Sequence, residues 1–149
     1  MTSASNEFAI RAAVPEDHAA CARIFSESWH SALPSKRRTV GVAELRHQTE
    51  GELLLVAALE GGIAGFISVW AQEWFVHHLF VDPAFQSRGV GTRLLMHAAT
   101  LAGDRELSLK CQTENHSAIR FYTRLGFRLT AVRGADEFGD WVELRGRPS

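Results

Sequence analysis

Two cysteines, four prolines and one tyrosine among 149 residues leave several architectures without material. Cys21 and Cys111 lie far apart and match no CxxC or zinc-ribbon spacing, which argues against a disulfide framework or structural zinc site and suits a reducing, cytoplasmic setting. The longest apolar run, 53–59, has seven residues, where a membrane span needs about 20. The first residues lack the basic-then-apolar pattern of a secretory signal. No charge of one sign prevails: Lys and Arg number 16, Asp and Glu 17, for a net charge of −1. That balance gives no electrostatic case for nucleic acid or an anionic membrane as partner. Repeats, low-complexity tracts and Pro/Gly/Ser linkers are also missing, so one domain over 1–149 is expected.

The sequence does have enough apolar material, 46% of residues, for a chain of this size to bury roughly 68–70% of its unfolded surface. Residues 8–12 read as a short strand. Pro15, Glu16 and Asp17 suit a first helical turn, and Cys21, Ile24, Phe25 and Trp29 follow at helical spacing. Residues 32–51 resist assignment, because Pro34, a basic Lys36-Arg37-Arg38 run and a weak helical signal over 42–48 compete. The period then changes. Residues 52–59, 63–71 and 74–81 are three β-rich runs, read as consecutive antiparallel strands, and Asp82-Pro83 stops the third. Residues 89–102 are helical by pattern, 106–111 a strand, and Asn115 caps a helix that Gly126 closes. Residues 127–133 and 140–145 form a hairpin. This order defines a mixed α+β layer structure.

The informative segment is Gln86-Ser87-Arg88-Gly89-Val90-Gly91, between the end of a strand and the start of a helix. The first amides of a helix have no internal partner and carry the positive end of its dipole, so such a turn binds anions. Glycines at 89 and 91 let a phosphate approach the backbone. A P-loop would need Gly-Lys-Ser/Thr, and a dinucleotide fingerprint would need a third glycine where Leu94 stands. Residues 83–130 carry seven basic and three acidic side chains, an excess that fits a polyanionic ligand.

Leu79-Phe80-Val81-Asp82-Pro83, the glycine segment, and Asn115-His116-Ser117-Ala118-Ile119-Arg120-Phe121-Tyr122 ending in Leu125-Gly126-Phe127 together resemble the acetyl-CoA-binding half of the GNAT superfamily of N-acetyltransferases. The resemblance runs from about residue 74 to 130, and the element order agrees with it. It implies a mostly antiparallel central sheet flanked by helices, with two strands splayed at the CoA site. It implies acetyl-CoA as cofactor, its pyrophosphate on the amides of Gln86, Ser87, Arg88, Gly89, Val90 and Gly91, and its pantetheine arm along the backbone of Leu79, Phe80 and Val81. Asn115 matches the asparagine that bonds the arm. Tyr122 matches the tyrosine that protonates the departing thiolate and adjoins the cofactor. One backbone amide of 79–81 polarises the thioester carbonyl.

The acceptor, a primary amine of a small molecule, amino acid or peptide, must lose a proton before it attacks. Glu73, His77 and His78 are the candidates to remove it, and the carboxylate common in relatives near 77 and 78 is absent. Adjacent strand residues face opposite sides, so one histidine sees the cleft unless a bulge intervenes, and the same geometry speaks against a metal on the pair. Trp29, Trp74 and Trp141, with nearby acids, are candidate contacts for a cationic amine. Direct transfer in a ternary complex is the leading expectation, and a non-catalytic acyl-CoA sensor is the alternative. A homodimer is a further expectation, since members of the superfamily often pair.

Overall fold

Alternation along two central runs decides the layering. In the segment Leu53–Leu59, Leu55 and Ala57 are buried on one face and Val56 on the other; in Gly62–Trp70, Ile67 and Val69 oppose Phe66 in the same way. Strands buried on both faces need a helical layer on each. The computed structural model, which describes residues 7–149, supplies both layers.

Its elements are β1 (Ala9–Ala12), a single 3₁₀ turn (Pro15–Asp17), α1 (His18–Ala32), α2 (Val42–Gln48), β2 (Leu53–Leu59), β3 (Gly62–Trp70), β4 (Phe75–Val81), a second 3₁₀ turn (Pro83–Phe85), α3 (Val90–Ala102), β5 (Leu107–Gln112), α4 (His116–Arg124), β6 (Arg128–Asp136) and β7 (Gly139–Gly146). The strands form one sheet in the order β1-β2-β3-β4-β5-β7-β6. Every neighbouring pair is antiparallel except β4 and β5, which run parallel. Helix α1 brings Cys21, Ile24, Phe25 and Trp29, and α2 brings Leu45, to the face that holds Val56 and Phe66. Helix α3 buries Leu94, Leu95 and Ala98 on the opposite face, against Leu55, Ile67, Leu107 and Leu144. Each such leucine or phenylalanine contributes about 1.5–3 kcal/mol by leaving water. The weak helical signal over 42–48 is realised as α2, and the C-terminal hairpin enters the sheet with β7 inside and β6 at the edge.

Two irregularities position everything that follows. Strands β4 and β5 pair only at Phe75 with Ser108 and Val76 with Leu109, after which they part. In the β3–β4 ladder Ser68 pairs with His78 and Val69 with Val76, so His77 is an extra residue in a β-bulge.

Candidate active site

The strand-to-helix turn is anchored by Asp82. One of its carboxylate oxygens accepts the Ala84 amide at 3.0 Å, capping the 3₁₀ turn, and the other lies 3.3 Å from Arg23 on α1. Beyond it the backbone takes left-handed conformations at Ser87 (φ 65°) and at Gly89 (φ 78°), the cap residue of α3. Among the described residues no protein acceptor takes the backbone N–H of Ser87, Gly89, Val90, Gly91 or Thr92. Gly91 is needed for a different reason: a Cβ there would come within 3.3 Å of the Phe121 ring. The Arg88 guanidinium lies 5.5 Å from the Phe85 ring, and its side chain is not on the cleft wall.

Where β4 leaves β5, its free edge faces the gap. The Asp82 amide donates to Ala64, which turns the backbone groups of Phe80 toward β3, and by alternation those of Leu79 and Val81 toward the opening. The resemblance gave all three residues to the pantetheine arm. The register corrects this for the backbone of Phe80, whose ring lies tilted with its centroid 4.4 Å from that of Phe25. Val81 also has its carbonyl occupied, by the side-chain amide of Gln86 at 3.0 Å.

Across the gap, Asn115 caps α4, its Oδ1 accepting from the Ala118 amide at 3.2 Å. Its Nδ2 has no acceptor among the described residues, so a capping and a ligand-facing role coexist. Two turns later Tyr122 is 8% exposed, between the edges of Phe121 and Phe127. Burial raises its phenol well above the ordinary tyrosine range, with Cys111 adding to the effect, so it holds its proton at any pH the protein meets. Burial likewise pushes the Cys111 thiol up to about 11, far from a reactive thiolate.

The glycine turn, the free edge of β4, Asn115 and Tyr122 all border one cleft of about 840 Å³. The cleft continues past His77 and His78 to α1, the loop after it and the β6–β7 turn. Of the candidate base residues, Glu73 is exposed in the β3–β4 turn and does not line the cleft. Trp74, beside it, packs against the core under α3 and is also off the cleft wall. Trp29 and Trp141 do line it; Trp29 donates its indole N–H to the Lys36 carbonyl, and Trp141 lies 4.2 Å beneath the Lys110 ammonium.

The bulge is the exception that the alternation rule allowed for, and the histidines do not face opposite sides. Their rings stack with centroids 3.8 Å apart. His78 is fixed at both nitrogens: Nδ1 is 2.7 Å from Ser68 Oγ, and Nε2 is 3.0 Å from Gln48 Oε1. Because Gln48 donates its Nε2 to Glu44 at 2.7 Å, its Oε1 must accept, so His78 carries its proton on Nε2 and accepts from Ser68 at Nδ1. Burial first, then the charges of His77 and Arg38, push its pKa down to about 2. A neutral, doubly engaged imidazole does not serve as a base, which removes His78 from that role. His77 is 38% exposed, and its Nδ1 is 2.9 Å from Oε2 of Glu52. The argument against a metal fails with the alternation, since ligand atoms of Glu52, His77 and His78 lie within 4.8 Å of one another. The hydrogen bonds just described engage three of the four imidazole nitrogens.

Sequence reasoning missed Glu52, Gln48, Ser68 and Arg38. An acid opening an otherwise apolar strand was the available signal for Glu52. The other three depend on register and on the unassigned 32–51 stretch.

An open strand edge leading from a helix-capping turn with unengaged amides fits an extended ligand with an anionic end, and so defines a cofactor-binding α+β domain. The acetyltransferase (GNAT) family model matches residues 18–127, and the chain belongs to that family. It is 28% identical over 153 aligned positions to the L-methionine sulfoximine/L-methionine sulfone acetyltransferase of Salmonella typhimurium, covering 91% of this chain and 90% of that protein. It is 38% identical over 61 residues to the N-alpha-acetyltransferase RimI of Mycobacterium tuberculosis, 41% of this chain and 39% of that one. The match spans only 17% and 24% of two further relatives, from Mycobacterium leprae and Methanocaldococcus jannaschii. Among solved structures, the acetyltransferase yncA of Salmonella typhimurium with its cofactor acetyl-CoA superposes with a TM-score of 0.68 at 25% identity, covering 94% of this chain and 93% of that one.

Proposed function

We propose that the chain moves an acetyl group from acetyl-CoA to a primary amine of a small molecule, amino acid or peptide, by direct attack in a ternary complex. The observation that carries this reading is one cleft lined by the glycine turn, by Tyr122 and by His77, which Glu52 holds through Nδ1. Bound acetyl-CoA supplies an activated thioester. The amides of the 87–92 turn would hold its diphosphate, the backbone of Leu79 and the N–H of Val81 its pantetheine arm, and the side-chain amide of Asn115 a further polar group of the arm.

Glu52 holds the proton of His77 on Nδ1, which leaves Nε2 as the basic nitrogen facing the cleft. That nitrogen takes the proton from the acceptor ammonium, so a neutral amine attacks. A backbone N–H of β4 directed into the gap polarises the carbonyl without reorganising, because its dipole is already in place. The Tyr122 hydroxyl, which retains its proton through burial, would donate it toward the departing sulfur, and the second proton shed by the attacking nitrogen as the amide forms would restore the phenol. The α-amine of the methionine sulfone on which a relative acts is one acceptor of this class.

A thermal-shift comparison of acetyl-CoA, CoA, ATP and NAD, followed by a free-thiol assay over an amine library, tests the proposal. Stabilisation by acetyl-CoA and CoA alone, with amine-dependent thiol release, is expected. Cofactor binding without release for any amine would make the chain an acyl-CoA sensor instead.

A further inference from the structure

We propose that Arg38 is the anchor for a carboxylate on the acceptor, so that the preferred amine also carries an acid group. This rests on the transferase reading and narrows its substrate. Arg38 belongs to the basic run that the sequence left unexplained, and its three members have different fates. Lys36 is tied to the Phe138 carbonyl and to Glu114, Arg37 is exposed, and Arg38 turns onto the cleft wall.

There its guanidinium sits among three aromatic rings, 4.8 Å from the centroid of Phe25, 4.9 Å from Trp29 and 4.6 Å from Phe138. Aromatic faces engage the face of a guanidinium and leave its in-plane N–H fork to find an acceptor elsewhere. Among the described residues no carboxylate lies within 4.0 Å of Arg38, and no acceptor takes a guanidinium N–H. Arg11, Arg23, Arg128 and Arg145 each meet a carboxylate, and arginines that meet none, such as Arg37 and Arg105, are exposed to water, whereas Arg38 is half-buried. A half-buried cation held rigidly by rings, with its donors uncommitted in a cleft, is built for a ligand anion.

The acidic groups that face Arg38 are Glu44, Asp136 and Glu137, all beyond ion-pair distance. Asp136 already accepts from Gln112 and from the Phe138 amide. Glu52 is engaged with His77 instead. Arg38 rests on Phe25, Phe25 lies 5.1 Å from His78, and His78 stacks on His77. This run of contacts places the fork at one end and the proposed base at the other. An acceptor long enough to reach both ends, with its amine at His77 Nε2, would lay its carboxylate on Arg38, which is the pattern an amino acid with a suitably placed acid group presents.

The test uses matched acceptors, amino acids beside their carboxamides and decarboxylated amines, with thiol release as readout. The wild type should favour the acid at least tenfold in kcat/KM, chiefly through KM. Arg38→Gln should bring that ratio to within about threefold of one, and Arg38→Lys, which keeps the charge without the fork, should fall between. Calorimetry should give all three proteins the same acetyl-CoA affinity. Equal use of acids and amides by the wild type, which needs no variant, overturns the proposal while leaving the transferase reading intact. A parallel loss for both acceptor types, or weakened acetyl-CoA binding in Arg38→Gln, overturns it too. Absence of thiol release with every amine ends both readings.

Discussion

Glu52 Oε2 lies 2.9 Å from His77 Nδ1, and the other oxygen of the same carboxylate is buried with no hydrogen-bond partner among the described residues. A carboxylate so placed fixes which imidazole nitrogen is protonated and stabilises the imidazolium once the proton arrives.

A positioned base contributes about 10²–10⁴ in rate. His77→Gln should therefore lower kcat at least a hundredfold, and Glu52→Gln about tenfold, because the imidazole survives but loses its orienting charge. Steady-state thiol release measures both, with acetyl-CoA affinity by calorimetry expected to stay unchanged. Wild-type turnover in His77→Gln would move the base elsewhere.

His78 should register in stability instead. Its folded-state pKa is depressed to about 2, against an ordinary value near 6.5. Its contribution is therefore fully present above about pH 6.5. It is lost as pH falls, because the unfolded chain takes up a proton that the native ring refuses. The expected slope is about 1.4 kcal/mol per pH unit. Urea unfolding from about pH 7 to about pH 4 should show wild-type stability falling more steeply than that of His78→Asn, which lacks the titrating group. Parallel slopes would contradict a neutral His78 in the native state.

Tyr122→Phe keeps the ring between Phe121 and Phe127 and removes only the hydroxyl. Turnover should fall at least tenfold with little change in acetyl-CoA affinity. Since the phenol is held above its ordinary range, the deficit should be constant from about pH 7 to about pH 10. A deficit that closes as pH rises would assign the proton to another donor.

Gly89 tests the turn. No atom lies within 4 Å of a Cβ built at this position, yet its φ is +78°, so Gly89→Ala introduces backbone strain of roughly 1–2 kcal/mol without a clash. Thermal unfolding should show that cost, with weaker acetyl-CoA binding beside it. Gly89→Glu, which adds charge where a diphosphate belongs, should abolish binding, and calorimetry giving wild-type affinity for it would refute the assignment.

The elements and the cofactor half were legible because their signals are local. Asp82-Pro83 ends a strand, Gly89 and Gly91 open a helix and Asn115 caps one, each through the conformational preferences of a few residues. The acceptor half was not. Whether His77 and His78 share a face depends on a bulge set by the β3–β4 register, which no property of the His-His pair encodes. Glu52 meets His77 across two strand connections. Arg38 lies in a stretch without regular structure and owes its place to rings from α1 and the β6–β7 turn. Glu73 and Trp74 looked suitable by type and neighbourhood, but the turn that holds them points them elsewhere.

The seam between β4 and β5 is two residue pairs long, and among the described residues it is the sole strand-to-strand join between the first four strands and the last three. A thioester arm laid along the Leu79 edge would lengthen that join as a splint does a break. Loading the donor would then brace both banks of the crevice before the amine arrives, and the brace would outlast the transfer until CoA itself departs.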